Sequence, residues 1–324
     1  MKRRTLFTGA LGWAALGSWA HAASGESYPQ RHITLVVPFG TGNIADNQGR
    51  MIARHLEKVL GQAVVVENKP GAGGSIGTEF VARAPANGYV LLYGTHGTQA
   101  ANTALYPASR INPSSDLRAV HSLFRQSTVI VTPANRPWRS VRELLEAARK
   151  EPGRLTYSSS GVGTQTHLAG AKFQDATKVS LTHVPYNSQA SITDLLAGNV
   201  DLSFNYAETV VQHIESGKLR ALAINGKTRM AVLPGVPTVG EEGYPGAAVE
   251  GWSGVFAPRG TPDAIVALLA REIGKATEAP EAKAAMARLG SYPMGLSDVA
   301  FQSFVESEVP RWRDIVKSAG AEGR

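Results

Sequence analysis

Residues 70–77 read PGAGGSIG directly after VVVENK, and within them Gly73-x-Ser75-x-Gly77 has the spacing of a hydrolase nucleophile elbow. The same glycines could instead cradle a nucleotide phosphate, or they could serve a turn and no chemistry. A dinucleotide fingerprint needs a third glycine where Ile76 stands and must follow the first strand, but this run follows the second, after Pro70. A nucleophile elbow puts its serine on an abrupt strand-to-helix turn. Ser75 lies well beyond Glu67, past Asn68-Lys69-Pro70, and no HGGG-type oxyanion loop is present. A turn is the better reading: Gly71, Gly73 and Gly74 permit positive φ, and Ser75 is placed to cap the next helix. His96, His121, His167, His183 and His213 are scattered without the spacing of a metal site, and His167 reads as a packing or hydrogen-bonding residue. The chain has no cysteine, which excludes disulfides, thiolate catalysis and thiolate-bound zinc. No metal and no cofactor are implied.

Binding is better represented than turnover. Leu35–Phe39 runs into Gly40-Thr41-Gly42-Asn43, Leu91–Tyr93 into Gly94-Thr95-His96-Gly97-Thr98, and Tyr157–Ser160 into Gly161-Val162-Gly163-Thr164. Each places glycines and hydroxyls where the carboxyl end of a strand meets a helix N-terminus. There the first N–H groups lack intrahelical partners and the dipole favours an anion. In open α/β sheets, ligands bind at this edge. Two or three such helix starts, with Ser and Thr hydroxyls, could hold a small carboxylate without arginine. Asp46, in a first helical turn, reads as a dipole complement and loop brace rather than an acid–base group.

The elements that must position these loops alternate almost throughout. β-rich runs at 33–39, 63–67, 89–93, 128–132, 155–158, 181–186, 201–204 and 219–224 are separated by segments of helical period, such as Val141, Leu144, Leu145 and Ala148. This pattern predicts an α/β fold with parallel strands joined by right-handed crossovers. Helices dominate the last third, where Pro310 is expected to break the final one. With neither an internal repeat nor a flexible linker, two lobes must be joined by extended segments, and 123–133 and 249–258 fit best. One lobe is then built from 23–123 and 249–324 and the other from 124–248, with the paired crossings acting as a hinge around a ligand cleft.

The N-terminus sets the compartment. Lys2, Arg3 and Arg4, a short apolar stretch from Leu6 to Trp19 and Ala20-His21-Ala22 have the form of an export signal over residues 1–22. The expected destination is the periplasm, by the general or the twin-arginine route. Its removal lowers the formal charge from +7 to +4, and no block of consecutive Lys or Arg suits nucleic acid.

Several longer motifs then occur together: VENKPGAGGSIG at 66–77, NGY at 87–89, YSSSGVGT at 157–164 with HLAG at 167–170, VPY at 184–186, DLLAG at 194–198, LPGVPT at 233–238, WSG at 252–254 and APRGTP at 257–262. Over nearly the whole mature chain, the sequence resembles the substrate-binding proteins of tripartite tricarboxylate transporters, the Bug-type periplasmic receptors. The resemblance implies a monomeric, two-lobed receptor with no chemical step, clamping a small organic acid and presenting it to membrane transporter subunits. It implies ligand contacts at Phe39, Gly42, Asp46, Thr95, Thr98, Ser159, Gly161, Thr164 and Tyr186. The chain departs from the family where Thr41 and Asn43 replace Pro and Gly, where Ala45 lacks a hydroxyl, and where Asn187-Ser188-Gln189 replaces a Lys-Gly turn. Asn43 and Asn187 join the candidate ligand residues on that account. Two alternatives stay open: a receptor serving a sensor domain without transport duty, and an exported serine hydrolase using Ser75 or Ser159.

Overall fold

The structure is a computed structural model that describes residues 28–107, 111–186 and 190–323. The proposed export segment and Asn187 lie outside the described residues. In chain order the elements are β1 (Ile33–Val37), α1 (Ile44–Leu60), β2 (Val64–Asn68), a 3-10 turn (Ala72–Gly74), α2 (Ser75–Ala82), β3 (Val90–Thr95), a π turn (Gly97–Ala101), α3 (Asn102–Leu105) and α4 (Pro113–Asp116). Next come β4 (Leu117–Pro133), α5 (Val141–Lys150), β5 (Thr156–Ser159), α6 (Gln165–Thr177), β6 (Thr182–Pro185), α7 (Ala190–Ala197), β7 (Leu202–Tyr206), α8 (Ala207–Glu215) and β8 (Leu219–Ile224). The chain closes with a 3-10 turn (Pro245–Ala247), β9 (Glu250–Pro258), α9 (Asp263–Glu278), α10 (Pro280–Arg288), β10 (Ser291–Pro293) and α11 (Asp298–Ser318).

The strands lie in the order β2-β1-β3-β9-β4-β7-β5-β6, with β8 and β10 also paired to β4. Parallel pairing holds where helical crossovers intervene: β1 with β2 and β3, and β5 with β6 and β7. It fails for β4 and β9, which are antiparallel to each other and to their other neighbours. These two are not flanked by crossover helices within one sheet. They are the extended segments that run between the two halves, in opposite directions. Residues 117–127 of β4 pair with β9, and from Thr128 onward its partners are β7 and β8. The return path passes Asn225, whose N–H donates to Thr128 O, and Val249, whose N–H donates to Asn225 O, just before β9. The result is a two-lobed α/β fold with a mixed, curled sheet.

Each lobe has its own apolar packing. Ile33, Leu35, Ile52, Leu91 and Ile273 form one cluster of the first lobe, and Trp252, Phe256, Phe301 and Trp312 another. Tyr157, Phe173, Phe204 and Leu144 fill one side of the second lobe, and Val129, Leu195, Val210 and Ile224 the other. Fully covering each such side chain contributes about 1.5–3 kcal/mol. Leu168 of α6 packs into the Trp312 cluster, so the lobes touch.

Two local expectations are corrected. α11 does not break at Pro310. Phe301 and Val305 before it, and Trp312, Ile315 and Val316 after it, are buried in the same cluster, so packing outweighs the hydrogen bond that proline forfeits. Ser75 is not a cap: it is the first residue of α2, Gly74 precedes it with φ 91°, and its hydroxyl accepts from Asn102 Nδ2 at 3.1 Å. The glycine run is nonetheless a turn, with Gly71, Gly73 and Gly74 all at positive φ.

Candidate ligand cleft

The starts of α1, the π turn and α6 open on one cavity of about 710 Å³. Phe39, Asn43, Thr95 and Thr164 stand on its wall, with Ile44, Ala45, Gln165 and Thr166 from the first turns of α1 and α6. Each helix start is shaped by its own side chain. Asn43 Oδ1 accepts the Asp46 N–H at 3.0 Å, and its Nδ2 donates to Gly40 O at 2.7 Å. Thr95 Oγ1 accepts the Thr98 N–H, and Thr164 Oγ1 accepts the His167 N–H. These caps hold the third donor of each turn; Ile44 and Ala45, and Gln165 and Thr166, whose N–H groups come too early for an intrahelical acceptor, line the cavity.

The other described candidates, Gly42, Asp46, Thr98, Ser159, Gly161 and Tyr186, lie off this wall. Asp46 is buried and accepts from the Gly42 N–H at 2.9 Å, Asn68 Nδ2 at 3.0 Å and the Arg50 guanidinium at 3.0 Å. The Arg50 guanidinium, first among these partners, lowers its pKa to about 2. Gly42, at φ 80°, supplies the turn. Thr98 is buried, with its Oγ1 accepting the Thr95 N–H at 2.9 Å. Ser159 sits 2.7 Å from His183 Nε2 and accepts the Gly161 N–H at 3.1 Å, while Gly161 adopts φ 122°. The Tyr186 hydroxyl donates to Asp194 at 2.7 Å. The Ser159–His183 contact has nucleophile–base spacing, but Ser159 is 1% exposed and off the cavity wall. The His183 ring is stacked between Tyr157 and His167, at 4.8 and 4.0 Å.

Of the further wall residues, Gln126 and Tyr206 carried no local signal, while Tyr93 and His96 belong to the second glycine–hydroxyl run and Trp252 and Ser253 to the WSG motif. Tyr93, Gln126, Tyr206, Trp252 and Ser253 arrive from β3, β4, β7 and β9, and His96 directly follows β3; the sheet order brings them together. Several have their polar ends engaged outside the cavity. The Tyr93 hydroxyl donates to Gln48 Oε1 at 2.6 Å, and Trp252 Nε1 donates to Glu308 at 2.9 Å. The His96 ring stacks on Trp312 at 4.3 Å, and its Nδ1 accepts the Trp252 N–H at 3.4 Å, so a neutral ring carries its proton on Nε2. Burial pushes the His96 pKa down to about 4, which makes the neutral form the one present at pH 7. No Lys, Arg, Asp or Glu stands on the described wall. A second cavity, about 840 Å³, lies on the far side of the 160–164 loop beside α5 and the end of α11. Among the described residues, the α6 start reaches it only through His167. Among the described residues there is no cluster of metal-ligating side chains and no helix long and apolar enough to cross a membrane.

Residues 49–321 match the family model described as tripartite tricarboxylate transporter family receptor. Protein BugT of Bordetella pertussis is 35% identical over 304 residues, 93% of each chain. The UPF0065 protein in the tcbD-tcbE intergenic region of Pseudomonas sp. strain P51 is 37% identical over 316 residues, 97% of this chain and 94% of that one. Among solved structures, an R. palustris protein with adipate has a TM-score of 0.80 at 34% identity, covering 90% of this chain and 98% of its own. MatC from Rhodopseudomonas palustris with bound malate has a TM-score of 0.76 at 31% identity, covering 89% and 100%. The periplasmic binding protein BugD has a TM-score of 0.77 at 34% identity, covering 91% and 99%.

Proposed function

The chain belongs to the tripartite tricarboxylate transporter receptor family of periplasmic solute-binding proteins, and we propose that it captures a small organic acid in its cleft and delivers it to membrane transporter subunits. The observation that carries this reading is the convergence of three capped helix starts on one cavity without a charged side chain on its wall. A carboxylate there meets the N–H groups of Ile44 and Ala45 from one lobe and of Gln165 and Thr166 from the other. Each helix start contributes about 0.3–1 kcal/mol to an exposed charge and up to about 2 kcal/mol when partly buried. Thr95 and Ser160 add hydroxyls. Phe39, Asn43, Thr95 and Thr164 contact the ligand or shape its seat directly; Gly42, Asp46, Thr98, Ser159, Gly161 and Tyr186 hold the loops in register. Because the donors come from both lobes, a bound anion draws them together, and closure about the crossings at 127–128 and 225–249 becomes the signal that a transporter reads. The neighbours with adipate and malate support the carboxylate class.

Mature chain, refolded from denaturant to remove carried ligand, should be stabilised by one or more mono-, di- or tricarboxylates. At 100 times the dissociation constant the gain is about 2.7 kcal/mol. A panel of C3–C8 acids, aromatic acids and acidic amino acids with no stabilising member would end the proposal.

A further inference from the structure

Gln165 occupies an unusual place. It is the first residue of α6, in the second lobe, yet its side chain is 3% exposed and reaches β4 at the end paired with the first lobe. Its Nε2 donates to Gln126 O at 3.0 Å, and its Oε1 accepts from the Tyr206 hydroxyl at 3.3 Å. Opposite Gln126 in the β4–β9 ladder stands Gly251. A methyl group on Gly251 would overlap Gln165 Oε1, and would lie 2.7 Å from Gln165 Cδ and 2.8 Å from His96 Cε1. Gly251 has no positive φ and sits inside a fully buried strand, so no turn requires it to be glycine. What it leaves open is the notch into which the amide of the opposite lobe fits.

We propose that Gln165 and Gly251 form a cross-lobe latch at the base of the cleft: a positioning pair that seats the α6 start, and hence its free N–H groups, over the ligand only when the lobes are closed. This rests on the carboxylate-capture reading for its purpose but not for its geometry. The latch lies beside the strand crossing at 127–128, close to the pivot, where a small misfit becomes a larger displacement at the mouth. Separating the lobes would withdraw the amide from its carbonyl partner at Gln126, so closure is favoured by a bond that does not involve ligand. Gly251 itself is off the cavity wall, so it acts on binding through the wall residues it would displace, Gln165 and His96, and through lobe position, which the inter-label distance reads separately.

The chain has no cysteine, so spin labels at Glu57→Cys and Lys150→Cys, one on each lobe, report lobe separation without background. Calorimetry with adipate, and with malate as a second probe, reports affinity. In this labelled background, Gly251→Ala is expected to lengthen the inter-label distance and weaken binding about tenfold. Gln165→Ala alone should lengthen the ligand-free distance and weaken binding roughly threefold, with the ligand-free melting temperature little changed. The double variant, in which the methyl no longer meets the amide and only its contact with His96 Cε1 remains, should move the Gly251→Ala distance part of the way back toward that of Gln165→Ala. A double variant as open as Gly251→Ala, or single variants with the parent distance, overturns the latch. Should Gly251→Ala fail to fold, Gln165→Ala decides alone. If neither acid binds any form, the probes or the carboxylate reading have failed, and the ligand-free distances still judge the latch.

Discussion

At the scale of single residues, the cavity depends on buried groups both behind its wall and on it. Asp46 has 4% of its side chain exposed and gathers Gly42, Asn68 and Arg50. Its pKa, held at about 2 by Arg50 first, lies below the ordinary value of roughly 3.9. A depressed carboxyl contributes stability that is complete above its unfolded value and is lost as pH falls through its folded value. Asp46→Asn should therefore be less stable than the parent by about 1–2 kcal/mol near neutrality, with the gap closing between about pH 4 and pH 2. Urea titrations across that range test it, and a gap that persists at pH 2 would show that the charge is not the cause. His96 behaves in the same sense from the basic side. Its folded value of about 4 lies below the ordinary value of roughly 6.5, so its neutral ring supports the fold above about pH 6.5 and ceases to do so as pH falls toward 4. His96→Gln should flatten the decline in melting temperature across that window, leaving a residual slope from His121, which burial also holds down. Asp46 was legible as a brace because a first-turn acid has a local meaning. His96 was not, because its character comes from Trp312, far along the chain and stacked on it only in the fold.

At the scale of elements, the helices and parallel strands were readable wherever a period or a cap declared them, as with α5, capped by Ser140 and buried on Val141, Leu144, Leu145 and Ala148. The first half of β4 was hidden. Arg118, His121 and Ser122, ahead of the extended segment read at 123–133, interrupt any clean alternation, although His121 and Ser122 are buried. Pro310 misled because a local rule takes no account of tertiary packing on either side of the proline. Two residues before it, Glu308 accepts from Trp312 Nε1 and, across the lobe, from Trp252 Nε1, each at 2.9 Å. That carboxylate stitches α11 to β9 directly under the cleft floor. Glu308→Ala should leave two buried indole N–H groups without acceptors and lower stability by about 3 kcal/mol. Glu308→Gln, which keeps an acceptor, should lose less. The check is a fall in urea midpoint at constant slope. Equal losses in the two variants would mean that packing, and not the indole bonds, is what Glu308 supplies.

At the scale of the whole molecule, both chain crossings converge on one buried carboxylate. Glu250, 2% exposed, opens β9. Its Oε1 accepts from Ser127 Oγ at 3.2 Å on the outgoing strand, from the Lys227 N–H at 3.2 Å on the second-lobe side, and from the Tyr292 hydroxyl at 2.9 Å on β10. Arg125 Nη1 lies 3.8 Å from the other oxygen. Gly226 makes room for this knot, since a methyl there would overlap Ser127 Oγ and stand 3.1 Å from Glu250 Oε1. Beside it, Thr128 Oγ1 and both polar atoms of the Asn225 side chain are buried without protein partners among the described residues. A junction that combines one well-bonded carboxylate with several unsatisfied groups should loosen locally when the carboxylate goes, because the side-chain bonds that tie Ser127, Lys227 and Tyr292 together all end on it. Glu250→Ala is expected to accelerate backbone hydrogen exchange at Asn225, Lys227 and Val249 far more than at Ile52 or Phe173 in the lobe cores. Gly226→Ala should act in the same direction through crowding. If exchange rises evenly through both lobes instead, Glu250 is an ordinary buried group whose loss lowers global stability, and the two halves are joined by their shared apolar contact at Leu168 and Trp312 rather than by this knot.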